Sequence, residues 1–127
     1  MVRLRRRAPL ALAAVFCASG VVHLVRPQVF ASIMPRRIPE AHHTNLIYAS
    51  GVAELVCAAG LVRRARWAAS ASLATLAAVF PANVQMALDS GTGRNAGPSD
   101  SRALAWGRLP LQLLLAWAAL QARPEPR

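Results

Sequence analysis

A chain of 127 residues has the length of a single domain. Hydrophobic residues make up 55% of it and charged ones only 16%, against roughly 45–50% and about 25% in soluble domains. This excess excludes a disordered chain, and two lone cysteines exclude a disulfide-stapled secreted mini-protein.

Taken in chain order, the charges define the elements. All fifteen basic residues are Arg, against five acidic residues, for a net charge of +10. Residues 8–25 carry no charge, after Arg3, Arg5, Arg6 and Arg7. The following loop holds Pro27, Pro35 and Pro39, with Val29, Phe30, Ile33 and Met34 between them. That apolar island predicts a short helix lying in the membrane interface. Residues 41–62 carry one acid, Glu54, and residues 63–66 then form a basic hairpin. Residues 67–88 are again uncharged. The next loop, GTGRNAGPSD, has the composition of a mobile connection. Residues 103–122 carry only Arg108, and the tail RPEPR reads as unstructured. A spanning helix needs about 20 mostly apolar residues. The expectation is an all-α bundle of four transmembrane helices near 8–25, 45–62, 67–88 and 103–122.

Soluble bundle helices need a polar stripe, and the 67–88 stretch offers only Ser, Thr, Asn and Gln. Nucleic-acid footprints cluster basic residues on one face, whereas these arginines flank apolar segments, so no nucleic-acid partner is expected. The basic N-terminus followed by an apolar run resembles a secretory signal. The run continues through Val21–Val25 and has no small-x-small cleavage site, so it is read as the first helix. With the N-terminus inside, nine arginines flank the inner face and five the outer one. That asymmetry predicts both termini in the cytoplasm.

Polar groups in hydrocarbon need a partner, a cavity or an interface. Each helix supplies at least one: His23, Glu54, Asn83, and Arg108 with Gln112. Counted from the outer helix ends, they lie at ~3 Å (His23), ~6 Å (Arg108), ~8 Å (Asn83) and ~14 Å (Glu54). All therefore fall in the outer half. Arg108 and Gln112, four apart, share a helix face. These residues predict an outward-facing polar pocket closed below by a Glu54–Arg108 pair, provided that their helices adjoin. The alternative is that each is satisfied separately: Arg108 snorkels to the headgroups, His23 marks the interface, and Glu54 bonds Ser50. Asn83 on its own reads as a helix–helix hydrogen-bond clamp.

Ala18–Val25 matches Ala49–Val56 at six of eight positions, with His23 opposite Glu54. In each copy a Ser-Gly pair lets a neighbouring backbone approach closely. Pro81 removes a backbone hydrogen bond and predicts a kink in the third helix. Pro110 sits either within the fourth helix or in its first turn, which would shorten that helix to 108–122. Cys17 and Cys57 read as buried packing residues rather than a redox pair. No nucleophile–base order, phosphate loop or metal-spaced cluster is present in the sequence, so no catalytic residue is assigned and a stand-alone enzyme is the least supported class.

Five segments together resemble the DoxX-like family of small four-helix membrane proteins. They are Gly20–Phe30, Ile33-Met34-Pro35, Tyr48–Leu55, Phe80–Ala87 and Arg108–Gln112. The resemblance implies an integral cell-membrane protein, an accessory or anchor subunit of a quinone-linked redox system. Its partners would be the lipid bilayer and redox enzyme subunits or further copies of itself. The paired cysteines of redox-linked relatives are missing here. No tightly bound cofactor is implied beyond contact with a quinone. The second function class is an autonomous small-solute or proton-handling membrane protein using Glu54 and His23.

Overall fold

The computed structural model describes residues 1–95 and 97–124. Five α-helices follow in order: α1 (Val2–Val25), α2 (Gln28–Ala31), α3 (His43–Val62), α4 (Ala68–Asp89) and α5 (Arg102–Leu120). Short 3-10 turns at Glu40–His42 and Gly97–Asp100 precede α3 and α5. No strand occurs among the described residues. Four of the helices are long and apolar enough to cross a membrane, and α2 is the short helix expected between the first two. The expected all-α bundle is the observed one.

The boundaries differ most at the start. Helix α1 begins at Val2 rather than near residue 8, because hydropathy marks where lipid begins and not where helical hydrogen bonding begins. Its 24 residues extend about 36 Å at 1.5 Å each, more than the ~30 Å hydrocarbon layer. The arginine-bearing turns therefore project beyond it. Pro81 lies inside α4, which is continuous from Ala68 to Asp89. Pro110 lies inside α5, which starts at Arg102, so the shortened fourth helix is not adopted. After α5 come Gln121, Ala122, Arg123 and Pro124; the rest of the tail, residues 125–127, lies outside the described residues.

Around the bundle the order is α1–α3–α4–α5, with α1 closing against α5. Helices α3 and α5 therefore face each other across a diagonal, as do α1 and α4. The closest pair is α1 with α3, where the Ser-Gly repeat lies. A Cβ placed on Gly51 would sit 2.7 Å from the His23 Cβ and 3.0 Å from the Gly20 carbonyl oxygen. Only glycine permits that approach.

Along its axis the bundle is layered. The half near the N-terminus is a dry core of Leu12, Phe16, Cys57, Leu61, Leu76 and small alanines. At the far end, Ile33, Met86, Ala87 and Ala105 form a smaller cluster, against which Phe30 and Leu109 pack. Outside, Leu113 (74% exposed), Val25, Val62, Leu88 and Leu114 point away from the protein. Large aliphatic side chains all around long helices suit lipid and not water. This is a multi-pass membrane protein.

Candidate functional site

Between the two apolar layers lies a cavity of about 230 Å³. The small α1–α3 separation brings Ser19 and His23 against Ser50 and Glu54. Across the bundle, Asn83 from α4 and Arg108 from α5 complete the polar lining. Apolar walls come from Leu46, Ile47, Ala78, Val79 and Pro81, and Phe30, Ile33, Met34 and Ile38 cover the end away from the N-terminus. Four of the five predicted site residues thus converge on one space in the half of the bundle away from the N-terminus. The fifth, Gln112, stands behind them: the Asn83 Nδ2 donates to its Oε1 at 2.6 Å. Its own Nε2 donates to the Leu76 carbonyl. Asn83 is the interhelical clamp the sequence predicts, joining α4 to α5.

The pair expected to close the pocket does not form. Among the described residues no ion pair joins Glu54 and Arg108. Their helices lie on a diagonal, so the two side chains face each other across the cavity instead of meeting. Arg108 instead donates from Nη1 to the Met86 sulfur at 3.4 Å, a weak acceptor. Glu54 is met by α1: its Oε2 lies 3.5 Å from the His23 Nδ1, and the Ser19 hydroxyl also faces it. The expected Glu54–Ser50 hydrogen bond does not form among the described residues; the polar groups facing the carboxylate come from α1.

His23 cannot satisfy that carboxylate. Its Nδ1 is 2.7 Å from the Ser19 carbonyl oxygen, which can only accept, so the Nδ1 proton points there. Glu54 is 4% exposed, and its Oε2 has no hydrogen-bond partner. A buried carboxylate oxygen without a donor is costly. The cavity therefore presents one unmatched acceptor, Glu54, and one weakly matched donor, Arg108.

Several contributors escaped the sequence reading. The Phe30 ring stacks on the His23 imidazole, with centroids 3.7 Å apart and planes 10° from parallel. Its sequence signal, an apolar residue in a proline-bounded island, pointed to lipid rather than to His23. Asp89, just beyond the uncharged 67–88 stretch, accepts from Arg36 Nη2 at 2.6 Å and from Gln85 Nε2 at 2.8 Å. Arg94 lies 3.6 Å from the same carboxylate. Arg36 belongs to the segment that covers the cavity, so this pair ties the cover to the end of α4. No spacing rule links positions 36 and 89. The loop read as mobile is also tied, by Asn95 Nδ2 donating to the Met86 and Ser99 carbonyls.

Weakening the tie should open the cover. In a Cys17→Ser, Cys57→Ser, Ile33→Cys background, Asp89→Asn should raise labelling by a water-soluble thiol reagent several-fold, since Ile33 is 3% exposed. An unchanged rate would mean that Arg36 and Asp89 do not hold the cover. Both native cysteines are free. Cys57 is buried as expected, but Cys17 is exposed, on the lipid side of α1. Among the described residues, no three His, Cys, Asp or Glu side chains gather as metal ligands.

The fold and cavity define a small multi-pass helix-bundle protein with polar groups converging in one half of the membrane. The chain belongs to the family described as Domain of unknown function (DUF8561), whose family model matches residues 12–123. That span contains all the cavity residues. No curated protein and no solved structure matches the chain.

Proposed function

We propose that this protein, like the DoxX-like proteins its sequence resembles, is an accessory or anchor subunit of a quinone-linked redox system in the bacterial inner membrane. Its outer-half cavity takes the polar ring of the quinone. The carrying observation is the unmatched pair, Glu54 and Arg108, facing each other across an apolar-walled space. A quinone ring offers carbonyl acceptors when oxidised and hydroxyl donors when reduced. Arg108 suits the first and Glu54 the second. At about 230 Å³ the space is smaller than the roughly 300–1,000 Å³ of drug-sized sites, and it suits a single ring with its tail left in lipid. The nine-to-five arginine asymmetry supports cytoplasmic termini, and hence a cavity in the outer leaflet. Redox enzyme subunits, or further copies of this chain, are the partners this role requires.

Binding of a short-chain quinone and its quinol to the purified chain in mild detergent tests the reading. Charge-assisted hydrogen bonds contribute about 1.5–3 kcal/mol, so losing one should weaken binding roughly tenfold or more. Arg108→Gln should weaken the oxidised form most, and Glu54→Gln the reduced form most. Equal affinity in wild type and both variants would rule out this occupant.

The close approach of Glu54 to His23 favours a second reading, in which the protein handles protons or a small solute by itself. The two buried titratable groups lie 3.5 Å apart, and a proton would pass between them once the His23 Nδ1 proton turns from the Ser19 carbonyl. Proton flux into liposomes that Glu54→Gln abolishes, with no copurifying redox subunit, is the result this reading requires.

A further inference from the structure

A second depression, of about 620 Å³, opens at the opposite end of the bundle. It lies between the start of α1, the α3–α4 turn and the residues after α5. Five arginines line it: Arg5 and Arg6, Arg64 and Arg66, and Arg123. Among the described residues, no acidic side chain lines it and none of the five forms an ion pair. Like charges drawn from three separate segments into one concavity repel each other unless an anion sits among them.

Arg64 supplies an independent observation. Helix α3 ends with the Ala65 N–H on the Gly60 carbonyl at 2.9 Å and the Arg64 N–H on that of Leu61 at 3.2 Å. This paired ending places its central residue in the left-handed region, where glycine is the usual occupant. Here that residue is Arg64, with φ of +54°, and it is the only non-glycine among the described residues with positive φ. An L side chain is strained in that conformation. A strained arginine stands where glycine would be free, and its side chain lines the depression.

We propose that this depression binds the phosphate headgroup of an anionic phospholipid. The planar guanidinium matches phosphate oxygens two at a time. Basic pockets between helix ends at a membrane surface are suited to such headgroups. A lipid fits better than free phosphate because the rim is apolar: Leu10 and Leu120 line it and are 51% and 39% exposed, offering a path for acyl chains. The site is separate from the polar cavity and does not depend on what occupies that cavity.

The test is thermal unfolding of the full chain in neutral detergent at fixed ionic strength. The additions compared are phosphatidylglycerol, phosphatidylcholine and millimolar inorganic phosphate. Phosphatidylglycerol should raise the midpoint by about 5 °C, as expected for a ligand that binds only the folded state, and the other two should not. Arg5→Gln with Arg64→Gly should abolish the shift. Arg3→Gln with Arg7→Gln removes the same charge outside the depression and should keep it. Arg64→Gly alone should match or exceed the wild-type midpoint without lipid, because the strain is relieved, and still lose much of the shift. An equal shift with phosphatidylcholine would overturn the site, as would an equal shift in the Arg5, Arg64 variant. A full shift with inorganic phosphate would overturn the lipid as its ligand.

Discussion

Gly51→Val should lower stability by about 2–3 kcal/mol, near the top of the usual range for overpacking a tight interface. Two effects oppose each other when a side chain is added to a helical glycine. Helix propensity favours alanine over glycine by roughly 0.5–1 kcal/mol. Crowding acts the other way, and its size depends on what must move. At Gly51 the obstacles are the His23 Cβ at 2.7 Å and the Gly20 carbonyl oxygen at 3.0 Å. Both are fixed to the α1 backbone, so the whole helix must retreat. At Gly60 a Cβ would meet the Trp67 ring at 2.5 Å, which is nominally closer. That ring is the far end of a flexible side chain, 49% exposed, and can swing outward. Gly60→Ala should therefore be neutral or slightly stabilising, while Gly51→Ala destabilises and Gly51→Val does so more. Unfolding in mixed detergent micelles measures all three. Equal losses at positions 51 and 60 would mean that backbone proximity does not set the cost. Because α1 and α3 both line the cavity, on the proposed quinone role the retreat should also weaken quinone binding in the Gly51 variants.

The repeat that announced this contact was legible in the sequence, and so was the bundle itself. Uncharged stretches of spanning length leave few alternatives once soluble packing is excluded, and a helix rise turns position into depth. Depth placed His23, Glu54, Asn83 and Arg108 at one level, and the structure has them lining one cavity in one half of the bundle. Depth carries no azimuth. Whether Glu54 reached Arg108 or His23 turned on which helices adjoin, and the diagonal placement of α3 and α5 cannot be derived from the order of spans. The Arg36–Asp89 tie was hidden for a related reason. It joins residues fifty-three positions apart through a loop with no periodicity. Asn83 was legible because an amide in an apolar helix has few uses other than a clamp. Gln112 was instead read as a pocket residue, since it shares a face with Arg108; it is the clamp's other half.

That clamp leads to an unequal pair of losses. Asn83→Leu should cost about 2 kcal/mol, within the 1–3 kcal/mol that a buried group left unsatisfied typically costs. It strands the buried Gln112 Oε1, which does not line the cavity. Gln112→Leu removes two hydrogen bonds, yet the residue it strands is Asn83, which lines the cavity and can be solvated there. Its cost should be nearer 1 kcal/mol, the net value of an ordinary hydrogen bond. Replacing both side chains leaves no stranded amide. The double variant should therefore be more stable than the summed losses predict, by about 0.6 kcal/mol, the average coupling between polar side chains of membrane helices, and by no more than ~1.7 kcal/mol. Strict additivity in detergent unfolding would mean that the 2.6 Å contact contributes nothing. The clamp also reaches the cavity: Gln112 lies one turn from Arg108 on the same face of α5, so releasing it should let that helix rotate. On the proposed quinone role, Gln112→Leu should then weaken binding of the oxidised form although Gln112 does not line the cavity, whereas unchanged binding would show that α5 is held in register by its apolar contacts alone.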